Sequence, residues 1–380
     1  MIGSPRPGGK PRAYDEHKEE TVEGFETIMG SRSEISQDIT VVVTERRGTP
    51  LFVLDMLRYE GIFHDVSRQS VFFNQPEWSN IVILVGPMKI TRAHEKKLMK
   101  HVESGGGVIT IGLIEPAEDL LGVIVRYPLL GFPIGGTKYN SLGEGYLSIV
   151  DPALKSSLNP DWLPLHGFGC AAIMNDDCED LAIYDTVHES DETWSAITSK
   201  KMGQGIALNF GVDIVRTIRH VQEGIYIDQD GIPPPDAMSP IDDGILKAED
   251  GLVLDWTKDR RVVSPTQKVP AFMVPVADAW RKLLVGCIEL VADHCGVPIR
   301  RLWYWPNGAK FVALLSHDTD GNDSELAETL LKEINKHDIQ TTWCIIPPGY
   351  KKELCEKISS YGHELAMHFD AMGYPDNKGK

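Results

Sequence analysis

The chain has 380 residues, 42 % of them hydrophobic and 24 % charged, enough apolar material for two or three domains at roughly 100–200 residues each. With 38 Lys and Arg against 55 Asp and Glu the formal charge is −17, which argues against nucleic acid or an anionic membrane as the main partner, since both need clustered basic side chains. The longest apolar runs (residues 81–85, 108–111 and 311–315) have strand length and fall far short of the roughly 20 residues that span a bilayer.

The N-terminus, MIGSPRPGGKPRAYDEHKEE, has basic residues but no apolar stretch behind them, so no secretory leader is expected and the expected compartment is the cytoplasm. Cys170, Cys178, Cys287, Cys295, Cys344 and Cys355 form no CxxC pair, and they are too few for a disulfide framework. They are expected as reduced, mostly buried thiols. Residues 1–37, rich in Gly, Pro, Glu and Ser and without periodicity, are expected to form a disordered tail.

From residue 38 the pattern alternates. Residues 38–44 (DITVVVT) predict a buried strand. Residues 50–59 predict a helix with Leu51, Leu54, Met56 and Leu57 on one face, and 80–86 (NIVILVG) a second buried strand. Thr91 is the expected N-cap of a helix whose Leu98, Met99 and Val102 face inward. Gly105 to Gly107 end that helix, because glycine accepts positive φ at no steric cost, and 108–112 (VITIG) follow as a strand. Strand, helix, strand, helix, strand with short links predicts a parallel sheet with helices on its faces. The stretch 131–213 is more β-like, with strands expected at 181–188, 193–198 and 206–210 and a tight turn at Gly203-Gln204-Gly205. Residues 212–222 predict an amphipathic helix carrying Ile214, Val215, Ile218 and Val221. The segment 228–243, with Pro233 to Pro235 and five acidic residues, is expected to be a linker or exposed loop, and 276–295 a helix. An aromatic connector with Trp303, Tyr304 and Trp305 leads to the last part; packing between domains is its expected role, ahead of stacking on sugar rings.

Residues 306–380 change character again. A buried strand is expected at 311–316, then the polar cluster His317-Asp318-Thr319-Asp320-Gly321. A helix capped by Asp323 or Ser324 follows, with Leu326, Leu330 and Ile334 inward, then a strand at 340–346, a helix at 351–361 and a strand at 364–369. In this β-α-β-α-β run the polar residues fall at the ends of the first and third strands, the edge that carries catalytic groups in α/β barrels.

Asp318 and Asp320 are the strongest chemical signal. Two carboxylates this close repel and raise one pKa unless a cation lies between them, and a divalent metal supplies one. A capped loop, in which either Asp binds backbone N–H groups, is an equally open reading of the local sequence. His363-Glu364-Leu365-Ala366-Met367-His368 is superficially similar to the HExxH zinc-protease motif, but its two His are five apart and face different ways on a helix or a strand, so only one reaches a shared site. Asp370 lies two past His368, on the same side if the strand persists. Gly131 to Lys138 inverts the Lys-Thr order of a P-loop, and Asn175 to Asp180 lacks calcium-loop spacing; neither is a site.

Together, VALLSHDTDGN, IQTTWCIIP and YGHELAMHFDA, spanning about 309–372, resemble the start of the NodB-homology polysaccharide deacetylase family, in which a strand ending Asp-Asp-Gly is followed by an "ATFF"-like strand and a "GHEIxNH" strand. The resemblance implies Asp318 as general base, Asp320 and His368 as ligands of a divalent metal, commonly zinc, and His363 as structural. Thr319, inserted between the carboxylates, leaves their order open. The family's second metal His falls at Met372, a poor ligand for a hard ion, so Asp370 or a later residue has to replace it. The implied chemistry is hydrolysis of N-acyl groups of sugars, a non-peptide C–N bond, by a metal-bound water and a carboxylate base. The family's barrel extends well beyond residue 380, so an N-terminal fragment of a longer protein is expected; the alternative is a carbohydrate-associated, non-catalytic scaffold with a degenerate barrel.

The segments NIVILVGPMKITRAHEKKLMKHVESGGGVITIG and MGQGIALNFGVDI resemble a glutamine-amidotransferase-like domain. That implies a flavodoxin-like parallel sheet, but the turn after 108–112 reads Leu113-Ile114-Glu115 and lacks the nucleophilic Cys. The expectation is therefore an α/β protein: a tail (1–37), a flavodoxin-like, class I amidotransferase-like domain (38–225), a linker and connecting helix (226–305) and the first part of a NodB-type (β/α) barrel (306–380).

Overall fold

The computed structural model describes residues 38–44, 48–126, 144–158, 162–166, 171–174, 176–185, 194–228, 230, 251–256, 258–263 and 268–368. The expected tail, the P-loop-like stretch, most of the proline-rich linker, Asp370 and Met372 lie outside these residues. The chain divides into two compact units, 1–302 and 303–380.

The first unit is mixed α/β around one large sheet. It runs β1 (Ile39–Val43), α1 (Thr49–Tyr59), β2 (Asp65–Arg68), α2 (Gln69–Phe72), β3 (Ile81–Val85), β4 (Met88–Lys89), α3 (Arg92–Glu103), β5 (Gly107–Ile111), β6 (Ile114–Glu115), α4 (Glu118–Leu121) and β7 (Val123–Arg126). It continues with β8 (Glu144–Ile149), α5 (Pro152–Ser157), β9 (Trp162–His166), β10 (Ala171–Met174), β11 (Glu179–Asp185), β12 (Trp194–Met202), β13 (Gly205–Phe210), α6 (Ile214–Glu223), β14 (Arg260–Val262), β15 (Pro270–Phe272) and α7 (Val276–Cys295).

Five strands in the order β2-β1-β3-β5-β13 are parallel, and β12, β11, β8 and β9 extend them antiparallel. β1, β3, β5 and β13 are buried throughout because both of their faces are covered, whereas β2, at the end of the order, is polar and partly exposed. Period-two alternation divides them: Ile39, Val41, Val43, Ile81, Ile83 and Ile109 pack with α1, α6 and α7, while Val42, Val82, Leu84 and Val108 pack with Phe72, Phe73 and α3.

Thr91 caps α3 by accepting from His94 N–H at 3.1 Å. Gly203, at φ 58 on the tip of the β12–β13 hairpin, sits where any Cβ would press on the Glu103 carbonyl, which is why glycine stands there. The helix expected to connect the domains, α7, lies in the core of this unit, with Trp280 fully buried and its Nε1 donating to the Pro164 carbonyl at 2.9 Å. On α1, Leu51 points outward and Val53 takes its place in the core. Of the cysteines, Cys178 and Cys287 are buried free thiols and Cys295, Cys344 and Cys355 are half-buried ones, so burial is less general than expected. No helix among the described residues is long and apolar enough to cross a membrane.

The second unit is smaller: β16 (Ser316–Asp318), α8 (Ser324–Asn335), β17 (Thr342–Ile345), α9 (Lys352–Ser360) and β18 (Glu364–Met367), with the three strands parallel in the order β16-β17-β18. Trp343, Ala327, Leu331, Leu354 and Ile358 form its core. Two expectations are corrected. Residues 311–315 do not form a buried strand: the strand starts at Ser316, and Phe311 and Leu314 are 80 % and 85 % exposed. Among the described residues β16 pairs with β17 alone, at the edge of its sheet. On α8, Ala327 and Leu331 face the core with Ile334 beside them, whereas Leu326 and Leu330 are exposed. Trp303, Tyr304 and Trp305 are also exposed, Trp303 with its Nε1 donating to the Ala309 carbonyl.

Candidate metal and catalytic edge

All the sequence-predicted site residues within the described part belong to the second unit. Asp318 is the last residue of β16, and His368 immediately follows β18. Register pairs Asp318 with Cys344 and Cys344 with Ala366, so Asp318, Cys344, Ala366 and His368 share one face, while His317, Trp343 and Leu365 share the other. Trp343 anchors that second face to α8 and α9. The candidate face is the one turned away from the helices.

Two of the predicted residues are brought together. His368 Nε2 lies 3.7 Å from Asp318 Oδ2, and His368 Nδ1 is shielded from solvent with no hydrogen-bond partner among the described residues. The backbone of His368 is fixed by its N–H to the Ile345 carbonyl at 2.9 Å. Asp320 is exposed, at a corner of the turn that closes where Asn322 N–H donates to the Thr319 carbonyl at 2.6 Å. It makes no hydrogen bond or ion pair among the described residues.

His363 is the other kind of histidine. It is 5 % exposed; its Nδ1 accepts from Thr341 N–H at 3.2 Å, and Nε2 therefore carries the proton and donates to Asn335 Oδ1 at 3.1 Å. It ties the start of β18 to the end of α8 and faces away from Asp318. On the helix-facing side, burial and the neighbouring His363 push His317 below its usual range.

Three neighbours of the site are absent from the sequence reading as functional residues. Thr319 and Asn322 bind the turn to the end of β17. Cys344, half-buried, pairs with Asp318 in the β16–β17 ladder; burial and the Asp318 and Glu364 carboxylates push its thiol up. A strand register places Cys344 opposite Asp318, and no local sequence signal carries a register.

In donor type the residues fit a divalent ion: a carboxylate and an imidazole with a second carboxylate on the adjoining turn are ligands that zinc accepts. Among the described residues no group of three His, Cys, Asp or Glu is gathered closely enough to hold a metal.

No protein family and no curated protein matches the sequence. Solved structures similar to the chain include a β-galactosidase from Rahnella sp. R3 (TM-score 0.35, 14 % identity, 47 % of this chain and 29 % of that one). They also include the carbohydrate deacetylase Agd3 (TM-score 0.36, 12 % identity, 48 % and 30 %) and the N-terminal domain of mmIFT52 (TM-score 0.35, 14 % identity, 46 % and 85 %). The chain thus spans about 30 % of the length of these two enzymes. Carbohydrate-processing enzymes are among its structural neighbours, at scores and identities too low to carry an argument for fold or function.

Proposed function

We propose that residues 306–380 carry the metal-binding strand edge of a polysaccharide-deacetylase-like hydrolase, which acts on N-acyl groups of sugars. The observation that supports this most is the approach of Asp318 and His368, 50 residues apart in sequence, at the same end of two strands of one parallel sheet. A polar residue pair at that edge has no role in the core of the unit, which lies on the opposite face.

In this reading Asp320 and His368 hold a divalent ion, zinc in the first instance, with Asp370 as the further ligand. When bound, such an ion lowers the pKa of its water from 15.7 to about 7 and polarises an acyl carbonyl. Asp318 is the base that accepts the proton of the attacking water, for which its carboxylate, 58 % exposed, is open to solvent. The first unit is a flavodoxin-like, amidotransferase-like domain without the catalytic Cys; the strand order β2-β1-β3-β5-β13 supports it, since the first five parallel strands then run second, first, third, fourth, fifth, the flavodoxin order.

The test is metal content and acetate release. Zinc-loaded protein is incubated with N-acetylglucosamine oligomers, alongside Asp318→Asn and Asp320→Ala. The expected result is acetate release lost in both variants, with zinc retained by Asp318→Asn and lost by Asp320→Ala. Zinc at wild-type stoichiometry in Asp320→Ala overturns that ligand assignment. Wild-type protein that binds the oligomers without binding zinc or releasing acetate favours the non-catalytic scaffold.

A further inference from the structure

We propose that the outer edge of β16, with the apolar run that precedes it, docks a second copy of this chain: residues 310–318 of two copies pair antiparallel about a two-fold axis at Leu314. The proposal is independent of the metal-site reading above.

Exposure and backbone direction select this edge. Phe311, Val312, Leu314 and Leu315 are all exposed, in a run that carries no charge between Lys310 and Asp318. Contiguous apolar surface of this kind marks an interaction site. Among the described residues β16 pairs on one side alone. The Leu315 carbonyl accepts from Thr342 N–H at 2.9 Å, and Thr319 N–H donates to the Cys344 carbonyl at 3.2 Å, so the odd-numbered residues direct their backbone groups at β17. Alternation along the strand turns the N–H and C=O of Ser316 and Asp318 to the other side, where a further strand meets them. An apolar edge with outward backbone groups is a template for pairing with another chain.

The charges choose the occupant and the register. With the axis at Leu314, Lys310 of each copy lies opposite Asp318 of the other, at the two ends of the ladder, with Val312 opposite Ser316 and Leu314 opposite itself. These are the even-numbered residues, the set to which the outward groups of Ser316 and Asp318 belong. On the other face Phe311 comes opposite His317, and Ala313 opposite Leu315. Lys310 and Asp318 are exposed, and opposite charges directly across an antiparallel pair stabilise it. A parallel in-register alignment sets Lys310 against Lys310 and Asp318 against Asp318, where like charges destabilise. Sliding the antiparallel alignment by two residues sets Asp318 opposite Val312 or Lys310 opposite Ser316, and both ion pairs are lost.

The pairing is isologous, so both copies use the same patch and the assembly closes at two. It joins two three-stranded sheets into one and gives the run 311–315 the neighbour that a strand needs. It also sets Lys310 of the second copy beside Asp318, the base of the proposed site.

Sedimentation equilibrium of the full chain, with disulfide trapping, tests this. The wild-type chain is expected to pass from one copy to two as concentration rises. Leu314→Cys places two thiols across the axis, at the Cα spacing of about 5.5 Å that a disulfide accepts, and is expected to give a reducible dimer under mild oxidation. Leu326→Cys, at 70 % exposure on α8, and the wild-type chain with its own six cysteines are expected to give none. Val312→Cys mixed with Ser316→Cys is expected to form the mixed dimer, and Val312→Cys alone no dimer. Lys310→Glu is expected to weaken association about 10-fold, and Lys310→Glu with Asp318→Lys to restore it. Leu314→Pro removes an outward N–H and is expected to abolish association, with a thermal melt of each variant to show that it is folded. A chain that stays monomeric at every concentration overturns the proposal, as does a dimer that Leu314→Cys fails to trap or that Leu314→Pro leaves intact. Open-ended aggregates in place of a closed pair overturn it too. If Leu314→Pro does not fold, Lys310→Glu decides: unchanged association in it overturns the pairing.

Discussion

Cys344 pairs with Asp318 in the β16–β17 ladder, and the Asp318 charge opposes ionisation of its thiol. Burial and the adjacent negative charge disfavour the thiolate, which is the nucleophilic form, so the side chain is expected to alkylate slowly at pH 7–8 and faster as pH rises. Replacing Asp318 with Asn removes a charge that opposes ionisation, and iodoacetamide labelling of Cys344 at pH 8, followed by mass spectrometry, should accelerate; an unchanged rate shows that the carboxylate has no hold on the thiol. A second residue-scale prediction concerns His166 in the first unit. Burial, and secondarily the His220 charge, push it down to about 4. In the unfolded chain it titrates near 6.5, so as pH falls from 6.5 towards 4 the unfolded state takes up a proton that the folded state refuses. Stability is then lost on acidification across that window, by about 3 kcal/mol at most, and is unaffected by this group above pH 7. Urea midpoints at pH 7 and pH 4.5 should differ less in His166→Phe than in wild type; equal differences remove His166 from the account.

At the scale of elements, α8 shows what a helical period leaves undecided. Two apolar stripes run side by side, Leu326 with Leu330 and Ala327 with Leu331, and α9 decides between them by packing on the second. Leu331→Ala, at a site 2 % exposed, is therefore expected to cost about 2–5 kcal/mol, and Leu326→Ala, at 70 % exposure, less than about 0.5 kcal/mol, read from denaturant unfolding followed by Trp343 fluorescence. Equal costs would mean that the packed stripe is wrongly identified. The same contrast governs how much of the fold is legible in the sequence. β1, β3, β5 and β13 are plain because both faces of each are buried and a continuous apolar run signals this without reference to any partner. β2, β7 and the strands β8 to β10 give weaker local signals, and β14 and β15 are three residues each. The run 311–315 misleads for the converse reason: its apolar residues resemble a buried strand, but burial needs neighbours, and among the described residues β16 pairs on one side alone. In the candidate site Asp318 and His368 were legible because each ends a strand in a recognisable order of elements, whereas Cys344, Thr319 and Asn322 join through register and turn bonds that no local pattern encodes.

At the scale of the whole molecule, the described candidate residues Asp318, Asp320 and His368 all belong to the unit spanning 303–380. Zinc binding should therefore stabilise the two units unequally. A ligand that binds only the folded form adds about 2.7 kcal/mol at 100 times its dissociation constant, and this gain belongs to the cooperative unit that contains the site. Amide hydrogen exchange with and without saturating zinc is expected to show added protection at 316–318, 342–345 and 364–367, the three strands joined by the β16–β17 and β17–β18 ladders. The parallel core of the first unit, Ile39–Val43, Ile81–Val85 and Gly107–Ile111, should exchange as before. In Asp320→Ala the zinc-induced protection should vanish while the metal-free exchange pattern stays that of wild type, since this exposed side chain makes no bond among the described residues that its removal would break. Zinc-dependent protection confined to the first unit would place the metal elsewhere in the chain and sink the strand-edge site; protection of both units alike would show that the metal couples them into one folding unit.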